Sequence, residues 1–355
     1  MSARFPPLIE TEAALDQRRR TADRVFRGSL LYTSALSLWW LFFVISRREP
    51  GALFSRYTVD LEALRNVAFG FFFFSVFWGL IWYGVKNLLL RVLAGFSKEE
   101  RRLAFSSRMD EPFDLPALLA RHSERRIRIV DMIGRRGRFI TLQLSFFYYL
   151  YNRIAAEPTP AFLTLGLQDS LFDAVVLSWA ALALYYSNGF LARLYYGAQS
   201  RVMDGTLARA NCLLITTLWS AFRFVMVPIG MQLAPRLPPS TYATLFVLIW
   251  GSYVTADACS EVVGSLFGKQ KLRVWGLGDV NRKSIAGTWG GFLASLILCL
   301  SVVVAHGLPL PWMVLAVVIT VSSTFFELFS PRGTDDFTMA TANALLCWAF
   351  ACLVY

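Results

Sequence analysis

Charge is scarce in this sequence. Asp, Glu, Lys and Arg make up 17% of its 355 residues, whereas a soluble domain carries about a quarter, so an ordinary water-soluble globule is excluded. Histidine is scarcer still: His122 and His306 are the only two. They stand far apart, which leaves no histidine zinc set and no histidine base with an evident partner. The five cysteines, Cys212, Cys259, Cys299, Cys347 and Cys352, lack the paired spacing of a disulfide or zinc framework. Most fall inside apolar runs, where they read as small core residues. A cleavable leader is not expected either, because an acidic and arginine-rich stretch precedes the first apolar run, and the chain is expected to insert whole. Internal repeats and low-complexity tracts are not evident.

What the chain has in abundance is apolar sequence, 56% hydrophobic and 15% aromatic. Runs of about eighteen or more apolar residues, the length a bilayer core demands, recur along it. The expected class is an all-α polytopic integral membrane protein of about nine transmembrane helices, at 29–46, 67–86, 139–154, 171–191, 210–230, 241–262, 285–305, 310–329 and 337–355. The net charge of +11 would suggest nucleic acid in a soluble protein. Here Arg and Lys gather between the apolar runs, as topology requires, and no nucleic-acid partner is expected. Arg18, Arg19, Arg20, Arg24 and Arg27 place the N-terminus in the cytoplasm. The eleven Lys and Arg of 98–138, the pair Arg193 and Arg201, and the basic run from Lys269 to Lys283 then fall on the same side. Arg47, Arg48 and Arg56 in the first external loop run against that count. Residues 97–138 carry apolar positions at helical spacing among arginines and read as an amphipathic cytoplasmic segment lying on anionic membrane lipids. The coarse division is a transmembrane region over 1–240 and a C-terminal, chemistry-bearing transmembrane region over 241–355.

Four elements of that second region carry chemistry. Asp257 and Glu261 are an i, i+4 pair near the end of the sixth span, and ionisable groups within a span face a cavity or partner. For Glu261 a solvated helix end is the competing reading. Gly264 and Gly268 form a GxxxG, which in membranes marks a close helix contact. The lysines that follow, Lys269 and Lys271, open the alternative of a phosphate-binding backbone. In NRKSIAGT, Arg282 and Lys283 precede Ser284, a helix N-cap, and such an end attracts anions. Finally Glu327 precedes a glycine turn and the paired carboxylates Asp335 and Asp336. Two carboxylates together with phosphate oxygens suit Mg2+. Acids for a metal and bases for phosphates all fall on one expected face.

At these residues the sequence resembles the CTP-dependent lipid kinases, which include dolichol kinase, phytol and farnesol kinase and a diacylglycerol kinase, and which are related to phosphatidate cytidylyltransferase. The family pattern of an Asp, a Gly-x-x-x-Gly-Lys segment, Lys-Ser-x-x-Gly-Thr, and a Glu followed by Asp-Asn-Leu-Thr-Val-Pro is matched by Asp257, Gly264, Gly268 and Lys269, then Lys283, Ser284, Gly287 and Thr288, then Glu327 and DDFTMA. The match covers about Val254 to Thr341. Asp336 stands where the family has Asn, and Ala340 where it has Pro. The His-Gly-Gly and Asp-Arg of the cytidylyltransferase branch are absent. The resemblance implies transfer of the terminal phosphoryl group of CTP to a lipid alcohol. It implies carboxylates from Asp257, Glu261, Glu327, Asp335 and Asp336 on Mg2+ or on the lipid hydroxyl, and Lys269, Lys271 and Lys283 on the triphosphate. A cytidylyltransferase acting on phosphatidate is the alternative enzyme. A transporter or scaffold is the alternative outside enzymes, although its ligands would be expected at the bilayer midplane between repeated halves.

Overall fold

The computed structural model of the chain describes residues 12–46, 61–106, 115–156, 175–187, 189–233, 236–272, 283–330 and 334–355. Over these residues the protein is all-α, and the one β-type pairing is an isolated bridge, Lys271 with Ser284. In chain order the helices are α1 (Glu12–Ser46), α2 (Leu61–Val92), α3 (Lys98–Ser106), α4 (Leu115–Arg121), α5 (Glu124–Ala156), α6 (Val175–Tyr185) and α7 (Phe190–Gln199). A 3-10 turn at Val202–Leu207 leads into α8 (Ala208–Leu233), followed by α9 (Pro239–Phe267), α10 (Ile285–Ala305), α11 (Leu310–Phe329) and α12 (Asp335–Val354).

Four of these, α9 to α12, are long and apolar enough to cross a membrane, or five helices if the bent pair α6 and α7 forms one span. That supports a membrane protein. The expected spans 241–262, 285–305, 310–329 and 337–355 fall on α9 to α12, while 29–46, 67–86, 139–154 and 210–230 fall within α1, α2, α5 and α8. The described part of 171–191 covers α6 and the start of α7, with a bend of 114° between the two helices. Arg47, Arg48 and Arg56 lie outside the described residues.

The chain divides into two compact units. The division differs from a cut near 240, since residues of Ile140–Ser178 and Ile215–Pro239 group with the C-terminal helices. The first unit gathers described residues of Met1–Tyr32, Ser75–Phe139 and Trp179–Leu214. Its core includes Leu90, Ala94 and Phe96 with Ala104 of α3, Leu118 of α4, Ile127 and Val130 of α5, and Val202. Apolar positions of 97–138 are therefore buried in protein. The end of α2 supplies the apolar partner that the segment alone does not reveal.

Cations hold the carbonyl ends of the bent pair in this unit. Arg209 donates to the carbonyls of Tyr185 (2.7 Å) and Ser187 (2.8 Å) where α6 ends. Arg138 donates to Tyr195 O at 2.8 Å, and Lys86 to the carbonyls of Gly197 and Ser200 where α7 ends. The last carbonyls of a helix carry partial negative charge and lack helical partners, so buried cations are stable there. Lys86 also pairs with Asp131 at 3.2 Å, both fully buried.

The second unit contains α9 to α12 and the remaining described residues. α9 is 29 residues long, about 43 Å at 1.5 Å per residue, against 21, 20 and 20 for α10, α11 and α12, about 30 Å each. α9 is the central helix, with Leu245, Leu248, Ile249, Trp250 and Tyr253 buried around it. α10 turns a row of small residues inward at every fourth position, Gly287, Gly291, Ser295 and Cys299, so the backbones approach closely. Ile297, Val314, Val321, Phe325 and Leu345 are exposed on the outer faces of α10 to α12, as lipid contact requires. The inner face of α11 runs Trp312, Leu315, Ile319, Ser323, Glu327. Its last inward position is a carboxylate.

Candidate functional site

That carboxylate is where three helices converge. Asp257 of α9, Glu327 of α11 and Asp335 of α12 each place a carboxylate oxygen within 4.8 Å of the others. Exposure is 4%, 5% and 9% respectively. Burying three like charges together is costly unless cations offset them. One does so already: the Lys283 ammonium contacts Glu327 Oε1 and lies 3.8 Å from Asp335 Oδ2.

Local structure fixes each group. Asp335 opens α12, where the N-terminal partial charge favours a carboxylate. Ser284 caps α10, its hydroxyl accepting from Gly287 N at 3.2 Å, as the sequence leads one to expect. The chain on either side of the α9–α10 connection is pinned by Leu272 N to Lys283 O (2.9 Å) and Ile285 N to Gln270 O (3.1 Å), around the Lys271–Ser284 bridge. This neck sets the backbone of Lys283, and its side chain hangs inward to Glu327. The Ser260 hydroxyl lies 3.0 Å from both Glu327 Oε1 and the Asp257 carbonyl oxygen, and its single proton serves one at a time. Glu327 Oε2 is buried with no hydrogen-bond partner among the described residues.

Of the carboxylates expected from sequence, Asp257, Glu327 and Asp335 are thus brought together. Asp336 is buried, at 4% exposure, but gives no ligand atom to this cluster. Adjacent helical residues point about 100° apart. Glu261 is half-buried and also stands outside it. Among the bases within the described residues only Lys283 joins the acids. Lys269 and Lys271 are exposed past the end of α9, whose last ten residues beyond Asp257 rise about 15 Å. Arg282 lies outside the described residues.

The glycines serve the helix contact. A Cβ on Gly287 would meet Ser260 O at 2.7 Å and Gly264 Cα at 3.1 Å, and one on Gly291 would meet Ala256 O at 2.6 Å. Gly268 ends α9 tightly against Ser284, and Thr288 Oγ1 donates to Ser284 O at 3.0 Å. Gly264, Gly268, Ser284, Gly287 and Thr288 therefore form the seam that aligns Ser260 and Lys283 with Glu327. Ser260 is the site residue that sequence reading passes over. Its signal is the i, i+3 spacing from Asp257 on the same helix face.

An all-oxygen set of three buried carboxylates, one keeping an oxygen without a hydrogen-bond partner, fits a hard divalent cation. Oxygen ligands at about 2.1 to 2.5 Å from one ion span roughly the separation present here. No protein-family profile, no curated protein and no solved structure matches this chain.

Proposed function

We propose that this protein is a membrane phosphotransferase that moves the terminal phosphoryl group of CTP onto the hydroxyl of a membrane lipid alcohol, polyprenol-like, dolichol-like or diacylglycerol. In this reading the site opens on the cytoplasmic side of the membrane and uses Mg2+. The observation that carries it is the convergence of Asp257, Glu327 and Asp335 with Lys283 at one end of four membrane-length helices. The nucleotide and the acceptor class come from the resemblance over Val254–Thr341.

Phosphoryl transfer asks a protein for positioning and charge neutralisation more than for covalent chemistry. Asp257, Glu327 and Asp335 would hold the ion, which supplies charge shielding at the phosphates. A carboxylate of the same group accepts the proton of the lipid hydroxyl as that oxygen bonds to the γ-phosphorus. The bond from the γ-phosphorus to the β–γ bridging oxygen breaks, and CDP departs. Lys283 balances charge on the phosphates. The acceptor's tail stays among the apolar outer faces of α10 to α12, so only its hydroxyl has to reach the site.

The test uses the full chain in detergent with Mg2+, a panel of lipid alcohols and phosphatidate, and CTP labelled separately at the α and γ phosphates. The expected outcome is γ-label on a lipid alcohol, lost in Asp257→Asn and Asp335→Asn. Label from the α-phosphate on phosphatidate would instead identify a cytidylyltransferase. Transfer of neither label by folded protein would refute the enzymatic reading in favour of a transporter or scaffold.

A further inference from the structure

We propose that Lys283 is the resident counter-ion of the carboxylate cluster, and that a divalent cation entering the cluster displaces its ammonium outward, toward the neck between α9 and α10. The inference rests on the metal-site reading given above and adds how that site is loaded.

Nζ of Lys283 touches Glu327 Oε1 and stands 3.8 Å from Asp335 Oδ2, while the three carboxylates offer oxygens within 4.8 Å of each other. A divalent ion bound to those oxygens would occupy nearly the volume the ammonium fills. Two cations that close repel strongly in a poorly solvated site. The ammonium is the mobile one. Its backbone is tied by Leu272 N to Lys283 O at 2.9 Å and Ile285 N to Gln270 O at 3.1 Å, so displacement needs only rotation of a flexible four-carbon stem. The side chain keeps 17% exposure, which leaves it a way out.

The carboxylates are prepared for the exchange. Ser260 stays within hydrogen-bond distance of Glu327 Oε1 after the ammonium leaves, and Oε2 already lacks a hydrogen-bond partner among the described residues. Glu327 is 5% exposed, so that oxygen has little access to water. The displaced ammonium arrives at the outer end of α9 and α10, where Lys269 and Lys271 are exposed and where an incoming polyphosphate would be met. One lysine thus neutralises the acids before loading and the phosphates after it.

The experiment takes the full chain in detergent with Mn2+ alone as the probe. Mn2+ binding is read by electron paramagnetic resonance. In parallel a brief pulse of amine-acylating reagent is followed by peptide mass spectrometry, with Lys269 and Lys271 as exposed references. The expected result is stoichiometric Mn2+ binding and a several-fold rise in Lys283 acylation, with the reference lysines unchanged. Mn2+ binding with Lys283 still shielded would overturn the exchange and leave the metal site standing. No Mn2+ binding would overturn both. In Lys283→Gln, tighter Mn2+ binding is expected; weaker binding would refute displacement.

Discussion

Gly287 of α10 lies so close to Ser260 of α9 that a Cβ on the glycine would come within 2.7 Å of the serine's carbonyl oxygen. The two helices can meet there only as bare backbone. The consequence reaches the carboxylates, because the same serine's hydroxyl lies 3.0 Å from Glu327.

Gly287→Ala should therefore separate the helices and cost about 1 to 3 kcal/mol, the usual scale of overpacking, seen as a lower midpoint of thermal unfolding in detergent. Mn2+ affinity should fall with it. Gly28→Ala is the control: nothing lies within 4 Å of its Cβ position in α1, and no loss of stability is expected. Equal midpoints for the two variants would disprove the close seam.

Ser260→Ala removes a hydrogen bond to a buried carboxylate. Such bonds contribute about 1 to 2 kcal/mol, so Mn2+ affinity should drop roughly fivefold to thirtyfold while the unfolding midpoint changes little. Ser260→Thr should restore most of the affinity. An alanine variant that binds Mn2+ like the parent would remove Ser260 from the site.

Much of this unit is legible from the chain itself. The α10 and α11 boundaries coincide with the expected spans because Ser284 and the Pro309–Pro311 pair are physical start signals. Asp257, Glu327 and Asp335 stand out because ionisable groups are expensive inside apolar helices. Other features cannot be read that way. Lys269, Lys271 and Lys283 look equivalent in sequence, and only the tertiary neck sends Lys283 inward. A GxxxG beside lysines fits a phosphate cradle or a helix seam, and the choice depends on what packs against it; here Gly287 does. The stripe of 97–138 fits a membrane surface as well as a core until Leu90 of α2 and Phe96 of the turn after it pack against it. Asp336 is one of the paired carboxylates that the sequence offers, yet one residue's turn of helix takes it off the cluster.

In the first unit, Lys86→Met strands the Asp131 carboxylate in a fully buried position and also removes the donor to the Gly197 and Ser200 carbonyls. Breaking one side of a buried pair costs about 3 to 5 kcal/mol. A large fall in resistance to denaturant is expected. The double variant Lys86→Met with Asp131→Leu should recover part of it. Recovery stays incomplete, since Met203 N, 3.2 Å from Asp131 Oδ2, then loses its acceptor. A single variant as stable as the parent would show that the pair does not hold this core.

Outside the spans, Glu100 controls the start of α3. Ser97 N donates to Glu100 Oε2 at 2.8 Å and Glu100 N donates back to Ser97 Oγ at 3.2 Å, a reciprocal cap. His122 Nε2 and Arg121 both lie 3.1 Å from Glu100 Oε1. Burial pushes the Glu100 carboxyl up, but the Ser97 amide and His122 outweigh it and hold it below its ordinary 4.5. A carboxylate held low contributes stability that is fully present above the unfolded value and disappears as pH falls through the lower folded value. Cap stabilisation of α3 should therefore persist at neutral pH and fade below about 4.5. The measurement is the ratio of amide exchange rates in α3 between Glu100→Gln and the parent, which cancels the intrinsic pH dependence of exchange. The variant should exchange faster at neutral pH, with the ratio closing toward one in acid; a ratio constant across the range would mean that the Glu100 charge does not hold the cap.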